Sequence, residues 1–385
     1  MDFINKIWKK LSYIKSEYIY KNRIRKIHRI LKLKKSSSDK ASIIKHKNYW
    51  RQLKGNINTK WFRAYKFIYN NSDYRFVPDN IYHNIIEANL NNRRIAYSYR
   101  CKNFYELYYK NNDVFPEAII RNIENFFYDR SYRFLNMNEA LLSNILNKYN
   151  KIIIKPALDS SGGRNIQVFI KSDGKFVNDE RILLNLEYLN KTFSKNFIIQ
   201  NWIEQNPFFA QFNSSSVNTV KVTTYRSVKT DKVIVLNTVL RIGKKGNFVD
   251  NHKTGGISCN IDENHKLSDY AVDIYGNKFY ENNGVIFANV SKVPNINDMK
   301  QMAIYYAKKN FYSRLMGLDF CVDINNKVIL IEINNQFGAI SFQMNAGPLF
   351  GEYTDEVIQY FIKLNSKNNS YAEKIPFKKF KPTYT

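Results

Sequence analysis

Two stretches decide the fold: GLDFCVDINNKVILIEINNQFG at residues 317–338, and IIIKPALDSSGGRNIQVF at residues 152–169. The first reads as two β-like apolar runs with polar residues set inside them. Asp319 lies on the first run, and Glu332 and Asn334 lie on the second, sharing one face because strand side chains alternate. A buried acid is costly unless it is paired or bound to a metal. One such acid reads as a satisfied structural residue, whereas three oxygen ligands in this order point to magnesium. The second stretch is an apolar strand ending in Lys155, stiffened by Pro156 and followed by Ser160, Ser161, Gly162 and Gly163. A lysine at a strand end suits phosphate oxygens, and glycines let backbone N–H groups approach them. A Gly-Gly pair alone is an ordinary turn. Combined with the lysine and the downstream carboxylates, it implies an enzyme that uses Mg-ATP.

Composition bounds this reading. The chain has 385 residues, 44% hydrophobic and 15% aromatic, which is enough for a sizeable core and two or three domain-sized units. A net charge of +27 implies an anionic partner such as a glycan, a lipid surface or nucleic acid. Abundant Lys, Asn, Ile, Tyr and Phe together also fit an AT-biased coding sequence, which discounts part of that charge. The cysteines, Cys101, Cys259 and Cys321, have no paired spacing, so neither disulfides nor zinc is indicated and a reducing cytoplasm is expected. No apolar run is long enough to span a membrane, and the start lacks a signal-peptide core.

The first 35 residues hold twelve Lys or Arg and two acids, with apolar residues at Ile4, Ile7, Trp8, Leu11 and Ile14, then at Ile24, Ile27, Ile30 and Leu31. This predicts a basic amphipathic helix or helix pair ending near Ser36–Ser38, either packed on the body or lying on an anionic membrane. Residues 41–115 read as a small α/β lead-in, with RIAYSYRCKNFYELYY (94–109) extended. Strands are expected at FPEAII (115–120), 152–155, 166–170 and 197–203, and helices at 138–149 and 179–192. KSDGKF (171–176) carries a β-turn signal. Further strands are VKVTTYRSV, VIVLNTVLRIG and GVIFANV, with helices at 296–312 and 351–364. The expected divisions are 1–40 basic helical segment, 41–115 lead-in, 116–204 and 205–365 two α+β units, and 366–385 basic tail.

Taken in order, CKNFYELY, FPEAII, IIIKPALDSSGGRNIQVF, FIIQNWIEQN, SSSVNTVKVTTYR, LRIGKKGNFVDNHKTGGIS and GLDFCVDINNKVILIEINN resemble the ATP-grasp superfamily from about Cys101 to Gly351. VNTVKVTTYR and VDNHKTGGI resemble its sugar-transfer-associated family. The resemblance implies an α+β ATP-grasp fold, in which two subdomains clamp ATP. It implies that Lys102 and Lys155 reach ATP phosphates, with Ser161, Gly162 and Gly163 in the covering loop. Gln200, Asn201, Trp202 and Ile203 would form the hinge that reads adenine. Asp319, Glu332 and Asn334 would hold Mg2+, Lys221 and Arg241 would face the γ-phosphate, and Asn251 with the Gly255–Gly256 loop would lie at the acceptor side. Lys221 stands where this family usually has arginine, keeping the charge without the bidentate fork. Asn206 stands where histidine is expected after the hinge.

The implied chemistry is ATP-dependent carboxylate–amine ligation through an acyl phosphate. It would join an amine or amino acid to a sugar carboxylate, such as a hexuronic acid, in surface-polysaccharide assembly. Alternatives are a ligase acting on peptides or amino acids, a kinase, or a basic nucleic-acid-binding protein with a vestigial nucleotide fold. Lys and Tyr content permits the last, but no nucleic-acid module is found and the metal ligands would have no purpose in it.

Overall fold

The computed structural model describes residues 2–33, 40–110, 113–158, 165–246, 250, 254–336 and 339–368. It opens with α1, Asp2–Ile30, followed by α2, Lys40–Trp50, and α3, Lys60–Tyr69. The chain then continues in short helical turns. The segment 94–109, expected to be extended, is helical instead: Arg93–Ala96, Tyr97–Arg100, Lys102–Phe104 and Tyr105–Tyr109. Asn92 caps its start by accepting from the Ile95 N–H, and Tyr105 and Tyr109, one turn apart, both pack on Phe115. Its tyrosines alternate well enough to mimic a strand, and only their tertiary partners select the helix.

The first sheet contains β1 (Ala118–Ile123), β2 (Phe126–Tyr128), β3 (Phe134–Leu135), β4 (Lys151–Pro156), β5 (Gln167–Ser172), β6 (Lys175–Val177) and β7 (Phe197–Asn201). Their order is β3-β2-β1-β7-β4-β5-β6, and the pairings are antiparallel. The turn between β5 and β6 places Asp173 and Gly174 at φ 49° and 74°, the left-handed pair a tight hairpin needs. Helices Glu139–Leu146 and Leu186–Phe193 cover this sheet, burying Leu142, Leu146, Leu189 and Phe193 against Ile152, Ile154, Phe169 and Ile199. The second helix starts later than expected because Asn185, whose side chain accepts from the Tyr188 N–H, sets its first turn.

The second sheet is built from β8 (Thr219–Arg226), β9 (Val233–Ile242), β10 (Ile257–Ile261), β11 (Leu267–Val272) and β12 (Lys278–Phe279), with β15 (Leu315–Val322) and β16 (Val328–Asn334). A small hairpin, β13 (Glu281–Asn282) and β14 (Val285–Ile286), intervenes. The sheet order is β12-β11-β10-β9-β8-β15-β16. Both faces are covered, which is why every residue of β8 and β15 is buried. On one face, helix Ile296–Lys309 packs Met299, Ala303 and Tyr306 on Val220, Val222 and Leu240. On the other, Tyr225, Val239 and Leu315 meet Trp50, Tyr82 and Phe361 of the lead-in and the helix Thr354–Asn368. This second face is apolar at the Tyr225 end and charged at the Lys221 end, and that asymmetry positions the site.

Candidate functional site

The site forms where strand pairing aligns polar residues from four neighbouring strands. Asp319 pairs with Glu332 across β15 and β16 and with Lys221 across β15 and β8, so these three side chains share a face. Thr219 pairs with Arg241 on β9, and Gly317 with Asn334 on β16, extending the row. A bulge follows Asp319, where the partner register jumps from Glu332 to Leu330.

The side chains interlock. Lys221 Nζ lies 2.8 Å from each Asp319 carboxylate oxygen. Arg241 bridges Asp319 at 3.3 Å and Asp250 at 3.1 Å. The Asn334 amide donates to Asp319 Oδ2 at 2.9 Å and to Glu332 Oε2 at 3.3 Å. Lys102 reaches in from the helical segment, its Nζ donating to Glu332 Oε1 at 2.7 Å while its backbone N–H is tied to Ala157 O at 2.9 Å, just beyond β4. Lys155, on β4, is 5% exposed and faces the same cluster. Among the described residues no carboxylate comes within ion-pairing distance of it. Burial, and next the neighbouring Lys102 ammonium, bring its pKa down from 10.5 to about 7. At Glu332 burial opposes ionisation, but Lys102 first, then Lys221 and Lys155, hold the carboxyl well below the usual range.

Gln200, Asn201, Trp202 and Ile203 lie at the end of β7, where the chain crosses between the sheets. Gln200 Nε2 donates to Pro116 O at 3.3 Å, and Asn201 Nδ2 to Glu117 at 3.1 Å. Lys151 Nζ sits 3.7 Å from the Trp202 ring centroid. Three residues on, the strand-like pairing of Gln205 with Asp323, and Asn206 N–H to Val322 O at 2.9 Å, anchor the connection to the second sheet. Asn206, which replaces the expected histidine, accepts from the Phe208 N–H and caps the short helix Pro207–Ala210. Ser161, Gly162, Gly163 and Asn251 lie outside the described residues.

One member of the cluster was not singled out in the sequence. Asp250 is buried, accepts from the Thr219 N–H at 3.2 Å and from the Thr219 hydroxyl, and pairs with Arg241. Burial raises its pKa, with Arg241 opposing and Asp319 adding to the shift. An acid directly after the apolar pair Phe248-Val249, beside the candidate Asn251, was the available signal.

The donor set fits a hard divalent cation. Asp319 and Glu332 offer carboxylate oxygens and Asn334 an amide whose orientation is set by its neighbours. Among the described residues no group of three or more His, Cys, Asp or Glu side chains forms a metal cage. Two carboxylates and an amide are instead a partial set of hard oxygen donors of the kind that would hold Mg2+.

Two antiparallel sheets joined by a strand-end connection, with Lys155 of the first and Lys102 of the helical segment turned toward carboxylates of the second, define an α+β nucleotide-clamp protein. The chain matches the family model "Sugar-transfer associated ATP-grasp" over residues 90–357, and it belongs to that family. No curated protein matches it. Solved structures similar to it include the ATP-grasp ligase PsnB complexed with a minimal precursor, at 10% identity and TM-score 0.34, covering 69% of this chain and 61% of that one. A D-alanine–D-alanine ligase from Coxiella burnetii has 11% identity and TM-score 0.37, covering 71% and 60%. A biotin carboxylase from Campylobacter jejuni has 11% identity and TM-score 0.38, covering 68% and 47%. In each case the alignment spans less than two thirds of the other chain's length.

Proposed function

We propose that the protein is an ATP-dependent carboxylate–amine ligase that joins an amine or amino acid to a sugar carboxylate, such as a hexuronic acid, in surface-polysaccharide assembly. Family membership supports the ligase chemistry, and the family's description as sugar-transfer associated favours a sugar acid among the carboxylates. The observation that carries the reading is the convergence of Lys102 and Lys155 on the Asp319–Glu332–Asn334 face. Lys102, Lys155, Lys221 and Arg241 face Asp250, Asp319 and Glu332, so basic side chains outnumber carboxylates where a triphosphate would lie.

In the reaction, a substrate carboxylate oxygen attacks the γ-phosphorus of ATP. The bond to the β–γ bridging oxygen breaks, giving an acyl phosphate and ADP. The amine nitrogen then attacks the acyl carbon and expels inorganic phosphate, losing a proton as the amide forms. Carboxylate and triphosphate repel each other, so this chain's residues act by neutralising and aligning them. Lys102 and Lys155 hold phosphate oxygens, while Lys221 and Arg241 face the transferred group, Arg241 kept in place by Asp250. Mg2+ held by Asp319, Glu332 and Asn334 would supply charge neutralisation at the phosphates. Gln200 to Ile203 would line the adenine end, with Ser161, Gly162 and Gly163 over the phosphates and Asn251 toward the acceptor. We place the enzyme in the cytoplasm, where ATP is available and its buried thiols stay free.

The test is ADP release with Mg-ATP across pairs of uronic acids and amines, with mass analysis of products and Lys155→Ala as control. Release that needs both partners and yields an amide is expected. ADP formation with a phosphorylated hydroxyl as the product would make the protein a kinase, and absence of ATP binding would end the reading.

A further inference from the structure

Two apolar stripes run along different sides of α1, one exposed toward its start and one buried toward its end. In the second half, Tyr20, Ile24 and Ile27 are buried against the lead-in, and Leu31 follows on the same side. Arg23 pairs with buried Asp79 at 3.3 Å, Glu17 with Lys54 at 2.6 Å, and Ser16 donates to Asn84 at 2.6 Å. Toward the start of the helix, Ile7, Trp8, Leu11, Ile14 and Tyr18 are exposed, Trp8 and Tyr18 at 64% each, as is Tyr13 on another side of the helix. At about 100° per residue, Ile7, Leu11, Ile14 and Tyr18 fall within an arc of about 60°, and Tyr20, Ile24, Ile27 and Leu31 within another of about 60°, the two centred about 140° apart. The first stripe therefore faces away from the surface on which the second half packs.

We propose that this outward stripe docks the protein on an anionic phospholipid surface. Charge argues for that occupant. Exposed Lys15 and Lys21 flank the stripe, and exposed Arg25 and Arg29 lie beyond it toward the end of the helix. Glu17, the acid nearest the stripe, is engaged by Lys54 and Asn80 on the packed side. Apolar residues below, basic residues at the flanks and an aromatic at the margin make the pattern of a helix lying in a membrane interface. A second copy of the chain fits less well. The spacing Ile7, Leu11, Ile14, Tyr18 is a heptad seam, but its next position is Lys21, so it ends well short of the three or four heptads a coiled coil sustains. Among the described residues no helix is long and apolar enough to cross a membrane, so the contact is peripheral.

The experiment is co-sedimentation of the full chain with phosphatidylcholine vesicles, with and without phosphatidylglycerol. Partitioning to the anionic vesicles is expected, with a blue shift of Trp8 emission that is lost in Trp8→Phe. The triple variant Ile7→Ser/Leu11→Ser/Ile14→Ser should lose at least about tenfold in partitioning with no change in thermal midpoint, because the stripe is outside the core. Lys15→Glu/Lys21→Glu should weaken binding with the stripe intact. Absence of vesicle binding overturns the proposal, as does a triple variant that binds like the parent. A concentration-dependent dimer abolished by the triple variant, without lipid binding, assigns the stripe to a second copy instead. Lys155→Ala should bind vesicles like the parent, so lipid docking and the ligase reading fail separately.

Discussion

Two regions of this molecule bury charge for opposite ends. In the helical lead-in, Asp79 is met by Arg23 and the Tyr65 hydroxyl, and Glu87 by Arg93, with cation and anion balanced one to one. At the sheet face, Lys102, Lys155, Lys221 and Arg241 outnumber Asp250, Asp319 and Glu332, and Lys155 is desolvated beside another ammonium. The first arrangement makes each charge tolerable in the folded chain alone. The second leaves Lys155 without a carboxylate partner among the described residues, and in the proposed function a triphosphate would supply the missing negative charge.

The sharpest way to break this contrast is Lys155→Ala. ATP turnover should fall about a thousandfold, ~4 kcal/mol of transition-state stabilisation, while stability without nucleotide stays level or rises. A loss of stability with turnover intact would make Lys155 structural. Asp79→Ala should do the reverse. It leaves Arg23 and Tyr65 without their acceptor and should cost about 3 kcal/mol in urea denaturation, with turnover of the folded protein unchanged.

Asp250→Asn tests whether the site's own pairing serves orientation. Removing the charge that holds Arg241 should lower kcat/KM about thirtyfold, ~2 kcal/mol, while ATP affinity measured calorimetrically changes little. An equal loss in ATP affinity would make Asp250 part of nucleotide binding itself.

The last test follows a proton. With Lys155 at about pKa 7 in the free protein and 10.5 unfolded, the unfolded chain binds more protons between those values. Stability relative to Lys155→Met should therefore rise as pH goes from 7 to 9. ATP binding should restore the charge, so calorimetry in buffers of different ionisation enthalpy should show uptake of roughly one proton at pH 8 and almost none at pH 6. No buffer dependence would mean that Lys155 is already charged.

Much of the sheet face was legible because polar residues inside apolar runs stand out, as Asp319, Glu332 and Asn334 did, while Lys155 was marked by its place at a strand end before Pro156. Asp250 was not, because one acid in a glycine- and lysine-rich loop carries no periodicity, and only the pairing of Thr219 with Arg241 brings it inward. The segment 94–109 was read as extended because alternating tyrosines satisfy either period in so short a run, and contacts with Phe115 and Tyr306 decide between them.

By itself the sequence pointed to most of the strands, to the polar residues set inside them, and to a helical α1. Only the tertiary structure decided that β8 lies beside β15, so that Lys221 meets an aspartate 98 residues away, and that the later apolar stripe of α1 is buried while the earlier one is exposed. The physical reason is that periodicity is a local property of the chain. Strand order and the burial of a particular helix face are settled by non-local hydrogen bonds and packing, which residue alternation alone does not specify.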